Sequence, residues 1–308
     1  MDVLRSVFIA LSRNRHLRRF GERSRVGARL SSRFVAGMEI EDALRIAEST
    51  NKQGILVTLD SLGESVSTEA EARSAAEIYH RLLDSLVERK LKANISVKLT
   101  QMGLGISPAL AESITEDLAR HAKAAGTFLR VDMEDSSLTQ VTLDIVRRLH
   151  AREDLRGTVG VVIQAYLYRS QSDVEQLISE GIRVRLCKGA YSEPANVAFG
   201  HKSDVDANFV RLSCMLLDSP IYHGLATHDE AMIDTARSYA SLHGIDPSHF
   251  EFQMLFGIRR DLQRKLVHEG CNVRVYIPFG REWYPYFMRR LAERPANVLF
   301  LVKNFFRS

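Results

Sequence analysis

Short apolar, β-branched runs alternate with helical stretches along the chain from residue 52 onward. Nearly continuous apolar runs that alternate with helices are typical of parallel strands buried on both faces. Eight such runs predict eight strands. They are Gly54 to Leu59, Asn94 to Leu99, Phe128 to Met133, Val159 to Ala165, Arg183 to Cys187, Gly224 to Thr227, Phe250 to Leu255 and Val273 to Ile277.

Helix boundary signals lie between these runs. Glycine precedes a predicted strand where a helix would end in the left-handed conformation, at Gly126, Gly181 and Gly270. Capping-box spacing, or serine before proline, predicts helix starts at three places. These are Thr68 with Glu71, Ser172 with Glu175, and Ser107 followed by Pro108.

Eight consecutive strand–helix units predict an α/β fold, a closed (β/α)8 TIM barrel. An open doubly wound sheet would typically have fewer strands and a glycine-rich nucleotide turn, and no GxGxxG occurs in the chain. We expect the barrel to span residues 52–308. Residues 1–51 are predicted to form two or three basic amphipathic helices that pack on the barrel.

Composition is that of a globular protein, with 45% apolar and 26% charged residues and a net charge of +4. The positive charge is concentrated near the amino terminus. The arginines there are Arg13, Arg15, Arg18, Arg19, Arg23, Arg25, Arg29 and Arg33. A solvated helix face is one interpretation and contact with acidic lipid another. Nucleic acid is disfavoured because no base-stacking aromatic pattern accompanies the arginines.

The cysteines predict neither a disulfide framework nor a zinc site, because they are odd in number and lack partners at metal-ligand spacing. They are Cys187, Cys214 and Cys271. Near the amino terminus only Val7 to Leu11 is continuously apolar, and no run of about 18 apolar residues occurs. We therefore expect a reducing, cytoplasmic compartment and at most peripheral contact with a membrane.

Polar residues end the predicted strands, where barrel enzymes place their working groups. They are Lys98, Asp132, Gln164, Arg185, Lys188, Thr227, His228, Gln253 and Tyr276. A buried lysine is costly unless it is paired, so Lys98 is expected to pair with Asp132, in a structural or a functional role. His228 beside Asp229 lacks a second histidine at ligand spacing, and a metal site is therefore not predicted.

Tyr286, Arg289, Arg290 and Glu293 are spaced to share one side of a helix. Two adjacent guanidinium groups suit a small carboxylate ligand, which each can bind through two parallel hydrogen bonds. Glu293 could orient one of them. The alternative is a solvated helix face with an ion pair between Arg289 and Glu293.

Cations outnumber carboxylates among these candidates, which favours an anionic ligand. The cations are Lys98, Arg185, Lys188, Arg289 and Arg290, against Asp132, Glu134, Asp135 and Glu293. Lys188 or Lys98 could instead form a Schiff base, as in a class I aldolase-like barrel. Gly189 suggests close backbone approach to a phosphate or ring. A third interpretation is a non-catalytic barrel whose arginine-rich amino-terminal segment binds membrane or nucleic acid, for which the clustered charge is the only support.

Seven motifs, one near each successive strand end, together resemble proline dehydrogenase in its short monofunctional bacterial form. They are Ser96 to Thr100, Arg130 to Asp135, Gln164 to Tyr166, Arg185 to Tyr191, Ala226 to Asp229, Glu251 to Met254 and Tyr286 to Glu293. Each motif alone is weak. Their shared order makes an accidental match improbable, and the resemblance spans the whole barrel.

The resemblance implies FAD bound non-covalently at the carboxyl face of a distorted barrel. It implies oxidation of L-proline to Δ1-pyrroline-5-carboxylate, with hydride passing from proline C5 to flavin N5 and electrons then passing to a membrane quinone. This is the first step of proline degradation to glutamate, and pyrroline-5-carboxylate dehydrogenase would act next. The enzyme would be cytoplasmic, with transient contact at the inner face of the cytoplasmic membrane.

The same resemblance implies roles for individual positions. Asp132 and Arg185 match active-site positions, with Arg185 near the flavin N5. Substrate would be bound by Lys98, Tyr276, Tyr286, Arg289, Arg290 and Glu293. Flavin would be contacted by Met133, Gln164, Arg185, Lys188, Gly189, Ala190, Thr227 and His228, with Tyr191 as support. Cys187 is assigned no redox role.

Overall fold

The computed structural model describes residues 32–63, 65–284 and 286–288, and its strands form a closed barrel in chain order. Each strand pairs in parallel with the next, and the eighth returns to pair with the first. The predicted (β/α)8 barrel is therefore confirmed. The strands are β1 (Leu56–Ser61), β2 (Ala93–Val97), β3 (Leu129–Val131), β4 (Val159–Gln164), β5 (Arg183–Cys187), β6 (His223–Ala226), β7 (Phe250–Leu255) and β8 (Val273–Phe279).

Helices surround the barrel, and the first of them precedes β1. They are α1 (Ile40–Asn51), α2 (Glu69–Glu88), α3 (Pro108–Ala124), α4 (Thr139–Ala151), α5 (Ser170–Ser179), α6 (Lys202–Leu217), α7 (Glu230–Leu242) and α8 (Arg260–His268). Short 3-10 turns are Ser136–Leu138, Glu153–Leu155 and Pro247–His249. No helix in the described ranges is long and apolar enough to cross a membrane.

Helix α1 packs on the outside of the barrel, against β1 and β8. Its buried face consists of Ala43, Leu44 and Ala47, with Thr50 at its end. Residues 1–31, for which further helices are predicted, lie outside the part of the chain that the structure describes. The boundary at residue 51 therefore stays a prediction.

The strands separate an apolar layer from a polar bore, because successive side chains of a strand point to opposite faces. On β1, Val57 and Leu59 join the hydrophobic core, whereas Thr58 donates a hydrogen bond of 2.6 Å to Asn94 Oδ1. Polar side chains of other strands also meet in the polar bore and form hydrogen bonds there. They are Asn94, Ser96, Arg130, Arg185, Glu251, Gln253 and Arg274, and they bond one another or backbone carbonyls.

Gly224 on β6 makes room for one of these side chains. A Cβ at this position would lie 2.3 Å from Gln253 Nε2, which is closer than real contacts allow. Glycine is therefore needed at Gly224 so that a polar side chain of β7 can cross the bore.

The strand predictions are confirmed, with shifted boundaries. β1 runs on through Ser61, past the predicted end at Leu59, because it pairs with β8 as far as Phe279. β3 is shorter than predicted and ends at Val131.

Most helix signals are confirmed. Thr68 and Glu71 form the predicted capping box, and Ser107 is the N-cap before Pro108, although its side chain accepts no capping bond. The glycines predicted to end helices have φ of +66°, +77° and +81°; they are Gly126, Gly181 and Gly270.

The capping box predicted at Ser172 and Glu175 is wrong. Helix α5 already begins at Ser170, with Arg169 as its N-cap residue. Ser172 Oγ donates instead to the backbone oxygen of Arg169, at 3.1 Å. The tight turn after β4 starts the helix early, since the Ser170 amide bonds back to Leu167.

Candidate functional site

A cavity of about 500 Å³ opens at the carboxyl ends of the strands. Its charged floor comes from four strands or the residues just after them: Asp60 from β1, Lys98 after β2, Asp132 after β3 and Arg185 from β5. Tyr276 from β8 completes it. Parallel strands of a barrel end at one face, so residues far apart in the chain converge there.

The floor is a line of alternating charges. Lys98 Nζ lies 3.3 Å from Asp60 Oδ1 and 3.6 Å from Asp132 Oδ2. Arg185 Nη1 lies 2.8 Å from Asp132 Oδ1, and Tyr276 donates its hydroxyl to Asp132 Oδ2 at 2.7 Å. The predicted pair of Lys98 and Asp132 is confirmed, and Asp60 joins it as a second carboxylate.

The two carboxylates of the floor differ in acidity. Burial raises the pKa of Asp132, but the charges of Lys98 and Arg185 and hydrogen bonds from Ser96 and Tyr276 outweigh burial and lower it. Burial also raises the pKa of Asp60, and there it prevails over Lys98 because the Asp132 charge adds repulsion. Asp132 is therefore the stronger acid and the main counter-ion of the floor.

Arg185 is held on several sides. Its Nε donates to Gln253 Oε1 at 2.5 Å, and its guanidinium carbon lies 5.1 Å from the centre of the Tyr276 ring. Gln253 is oriented in turn because its amide group donates to Glu251, whose carboxylate pairs with Arg274 at 2.7 Å. The Nη2 of Arg185 is buried and has no hydrogen-bond partner among the described residues. One donor of this arginine is thus left for a ligand in the cavity.

The loop after β5 forms another wall. Lys188 Nζ lies 2.7 Å from Asp206 Oδ1 and 3.3 Å from Asp229 Oδ2. Gly189 has φ of +126°, and a Cβ there would lie 2.5 Å from the Tyr166 ring. A side chain at this position would both strain the backbone and collide with that ring, so the chain requires glycine.

Hydrogen bonds orient the neighbouring cavity residues. Gln164 donates to the Glu134 carbonyl at 2.8 Å and accepts from the Ala190 amide at 3.2 Å. His228 Nε2 accepts from the Leu255 amide at 2.9 Å, which fixes the plane of its ring.

The structure brings the predicted site residues together wherever it describes them. Those that line the cavity are Lys98, Asp132, Met133, Gln164, Arg185, Lys188, Gly189, Ala190, Tyr191, Thr227, His228, Tyr276 and Tyr286. Arg289, Arg290 and Glu293 lie outside the described residues. The roles assigned to all of these residues stay predictions.

The predicted excess of cations is not found among the described residues. Lys98, Arg185 and Lys188 each lie within 4 Å of a carboxylate, supplied by Asp60, Asp132, Asp206 and Asp229. Glu134, expected at the rim, accepts hydrogen bonds from the Thr100 amide and hydroxyl and so ties two loops together. Among the described residues, the charges of the cavity are therefore balanced by nearby carboxylates.

Asp60 and Asp206 line or support the cavity but were not predicted from the sequence. Asp60 was overlooked because β1 was predicted to end at Leu59, although alternation of Thr58 and Asp60 with apolar neighbours is a period-2 signal. Asp206 lies on α6, and no local pattern connects it with Lys188.

Comparisons with known proteins agree with this geometry. The sequence model of the proline dehydrogenase family matches residues 43–303. Proline dehydrogenase 1 of Bacillus subtilis (strain 168) is 41% identical over 303 residues, 98% of each chain. Proline dehydrogenase of Deinococcus radiodurans is 42% identical over 277 residues, 89% of each chain.

A crystal structure of proline utilization A (PutA) from Bdellovibrio bacteriovorus, inactivated by N-propargylglycine, matches with a TM-score of 0.82 and 26% identity. The match covers 90% of this chain and 34% of that one, so the present chain spans about a third of PutA. It spans nearly the whole length of the Bacillus relative. The family match, the full-length relatives and the barrel agree, and the chain belongs to the proline dehydrogenase family.

Proposed function

We propose that this chain oxidises L-proline to Δ1-pyrroline-5-carboxylate with non-covalently bound FAD and delivers the electrons to a membrane quinone. One observation carries the proposal. Every described residue that the family resemblance assigns to substrate or cofactor lines a single cavity at the carboxyl face of the barrel. The product would pass to a dehydrogenase that acts on pyrroline-5-carboxylate, in the degradation of proline to glutamate.

The residues present fit FAD. Arg185 offers a buried donor that is unpartnered in the described part of the chain, and Gly189 keeps the wall after β5 free of a side chain. The set that would hold FAD is Met133, Gln164, Arg185, Lys188, Gly189, Ala190, Thr227 and His228. FAD, when bound, would supply the acceptor for the hydride that leaves proline C5, which no protein side chain can be.

The proline carboxylate would be held by Lys98, Arg289 and Arg290, with Glu293 orienting the arginines. Tyr276 and Tyr286 would enclose the ring. The substrate amine must be neutral to release hydride from the adjacent carbon, and nearby cations lower the pKa of an amine. Because Asp60 and Asp132 already balance Lys98 and Arg185, that influence would depend on the arginine pair.

Asp132 would act by holding the other groups in place. Its two oxygens accept from Arg185, Ser96 and Tyr276 and lie against Lys98. A fixed Arg185 presents positive charge where negative charge develops during oxidation, and such pre-oriented charge lowers the barrier without a cost of reorganisation.

The aldolase-like alternative is less well supported. Lys188 and Lys98 both lie in ion pairs with aspartates, and attack on a carbonyl would have to break these contacts. Borohydride reduction in the presence of a carbonyl substrate would trap an imine on either lysine. We expect no such adduct.

The visible absorption spectrum of the purified protein tests the proposal. We expect flavin bands that bleach when proline is added without oxygen, and no bleaching in a matched sample without proline. A protein that binds no added FAD, or bound flavin that proline leaves unbleached, contradicts the proposal.

Contact with the membrane is a separate part of the proposal. Quinone lies in lipid, and the arginine-rich residues near the amino terminus are the candidate surface. Flotation with anionic vesicles would compare the full chain with a variant that lacks residues 1–31, using neutral vesicles as the control. Equal flotation of the two proteins counts against this role.

A further inference from the structure

The loop at residues 188–201 connects β5 to α6 and carries Lys188, Gly189 and Ala190. Its first part is fixed to the end of β4. The Tyr166 amide donates to the Lys188 carbonyl at 2.9 Å, and the Ala190 amide donates to Gln164 Oε1 at 3.2 Å.

The far part of the loop is fixed to the same neighbour. The Phe199 amide donates to the Tyr166 carbonyl at 2.8 Å, and the Tyr168 amide donates to the Val197 carbonyl at 3.0 Å. Between these two attachments stands Glu193, whose side chain reaches a different element.

Glu193 connects the loop with the turn Ser136–Leu138, which follows β3. Its Oε1 accepts from the Ser136 amide at 2.8 Å, and its Oε2 accepts from the Ser136 hydroxyl at 2.5 Å. Oε1 also accepts from the Tyr166 hydroxyl at 3.3 Å. Burial, and then the charge of Glu193, raise the pKa of Tyr166, so the phenol stays protonated and donates. One carboxylate therefore joins segments that follow β3, β4 and β5.

Tyr166 transmits this arrangement to the cavity wall. A Cβ on Gly189 would lie only 2.5 Å from the Tyr166 ring. The ring therefore packs directly against the Gly189 backbone, and each restricts the position of the other. Gly189 and Ala190 line the cavity. We infer that Glu193 is a positioning residue that holds the loop after β5 against bound FAD and slows its release. The inference rests on the proposed function, since it takes FAD to be the occupant.

The test compares FAD release from holoprotein of the wild type and of Glu193→Ala. Each protein is diluted, and the rise in fluorescence of free FAD is followed. We expect release to be about tenfold faster in Glu193→Ala, because three hydrogen bonds to a carboxylate are lost. Glu193→Gln should lie between the two, since the amide oxygen still accepts from Ser136. Glu175→Ala is the matched control, because Glu175 is an exposed glutamate on α5 that accepts a hydrogen bond from Gln171.

A second measurement separates positioning from general stability. At saturating FAD, the free energy of unfolding of Glu193→Ala should lie below that of Glu175→Ala by no more than about 1.4 kcal/mol, the difference that tenfold weaker FAD binding produces. Release from Glu193→Ala within twofold of wild type overturns the inference and leaves the proposed function intact. A large loss of stability without faster release also overturns it. Wild-type protein that binds no FAD overturns both the inference about Glu193 and the proposed function. If Glu193→Ala does not fold, Ser136→Ala removes one donor and gives the same comparison.

Discussion

His223 should make the stability of the barrel depend on pH. It begins β6, is 2% exposed, and accepts a hydrogen bond of 3.0 Å from the Val184 amide at Nδ1. The neutral ring therefore carries its proton on Nε2, which has no partner within the described ranges. Burial, and then the charges of Arg130 and Arg183, lower the pKa of His223 to about 3.

The magnitude follows from linkage. An unfolded histidine has a pKa of about 6.5, so below that pH the unfolded chain takes up a proton that the folded chain does not. The contribution of His223 is fully present above pH ~6.5 and is lost as the pH falls towards ~3. The loss approaches about 1.4 kcal/mol per pH unit and amounts to about 2 kcal/mol at pH ~5.

Urea unfolding at several pH values between ~7 and ~5 measures this effect in wild type and in His223→Asn. The asparagine oxygen can still accept from Val184 but cannot titrate. We expect the free energy of unfolding to fall by about 2 kcal/mol more in wild type than in His223→Asn. The other titrating groups are the same in the two proteins, so their contributions cancel when the two pH profiles are subtracted. His268→Asn, at an exposed position, is the matched control and should follow wild type. Parallel pH profiles for wild type and His223→Asn would refute the reasoning.

Three further predictions concern the site and its support. Arg185→Met should slow flavin reduction by proline while the chain still folds; stopped-flow reduction at the parental rate would contradict its role. Arg289→Met or Arg290→Met should raise the KM for proline far more than it changes flavin content, and unchanged proline kinetics would remove the carboxylate-binding assignment. Glu251→Gln should lower the free energy of unfolding at pH ~7 by about 3 to 5 kcal/mol, because it leaves the Arg274 guanidinium in the bore without its carboxylate. Burial raises the pKa of Glu251, but Arg274, Tyr222 and Gln253 lower it overall, so this stability is present above pH ~4.3 and is lost as the pH falls through the folded pKa. In urea unfolding, Glu175→Gln is the control, and a loss equal to that of the control would count against the prediction.

The resemblance to proline dehydrogenase, drawn from the order of seven motifs, is confirmed by the family match and by relatives of nearly full length. The motifs also predict most of the residues of the cavity wall, since each overlaps or follows a strand that the apolar pattern locates. The capping box predicted at Ser172 does not form, because a turn from Leu167 to Ser170 already starts helix α5 at Ser170. That turn depends on contacts with the end of β4. The spacing of Ser172 and Glu175 in the sequence carries no information about those contacts.

The sequence by itself determined the eight strands, the helices between them and the closed barrel, because burial on both faces imposes a local and repeated pattern. Beyond the predicted pair of Lys98 and Asp132, only the tertiary structure decided which polar side chains meet. Lys98 pairs with Asp60, Lys188 with Asp206, and Glu193 binds Ser136. The members of each pair lie on different elements, and only closure of the barrel brings the ends of its parallel strands to one face, where these side chains come within hydrogen-bonding distance.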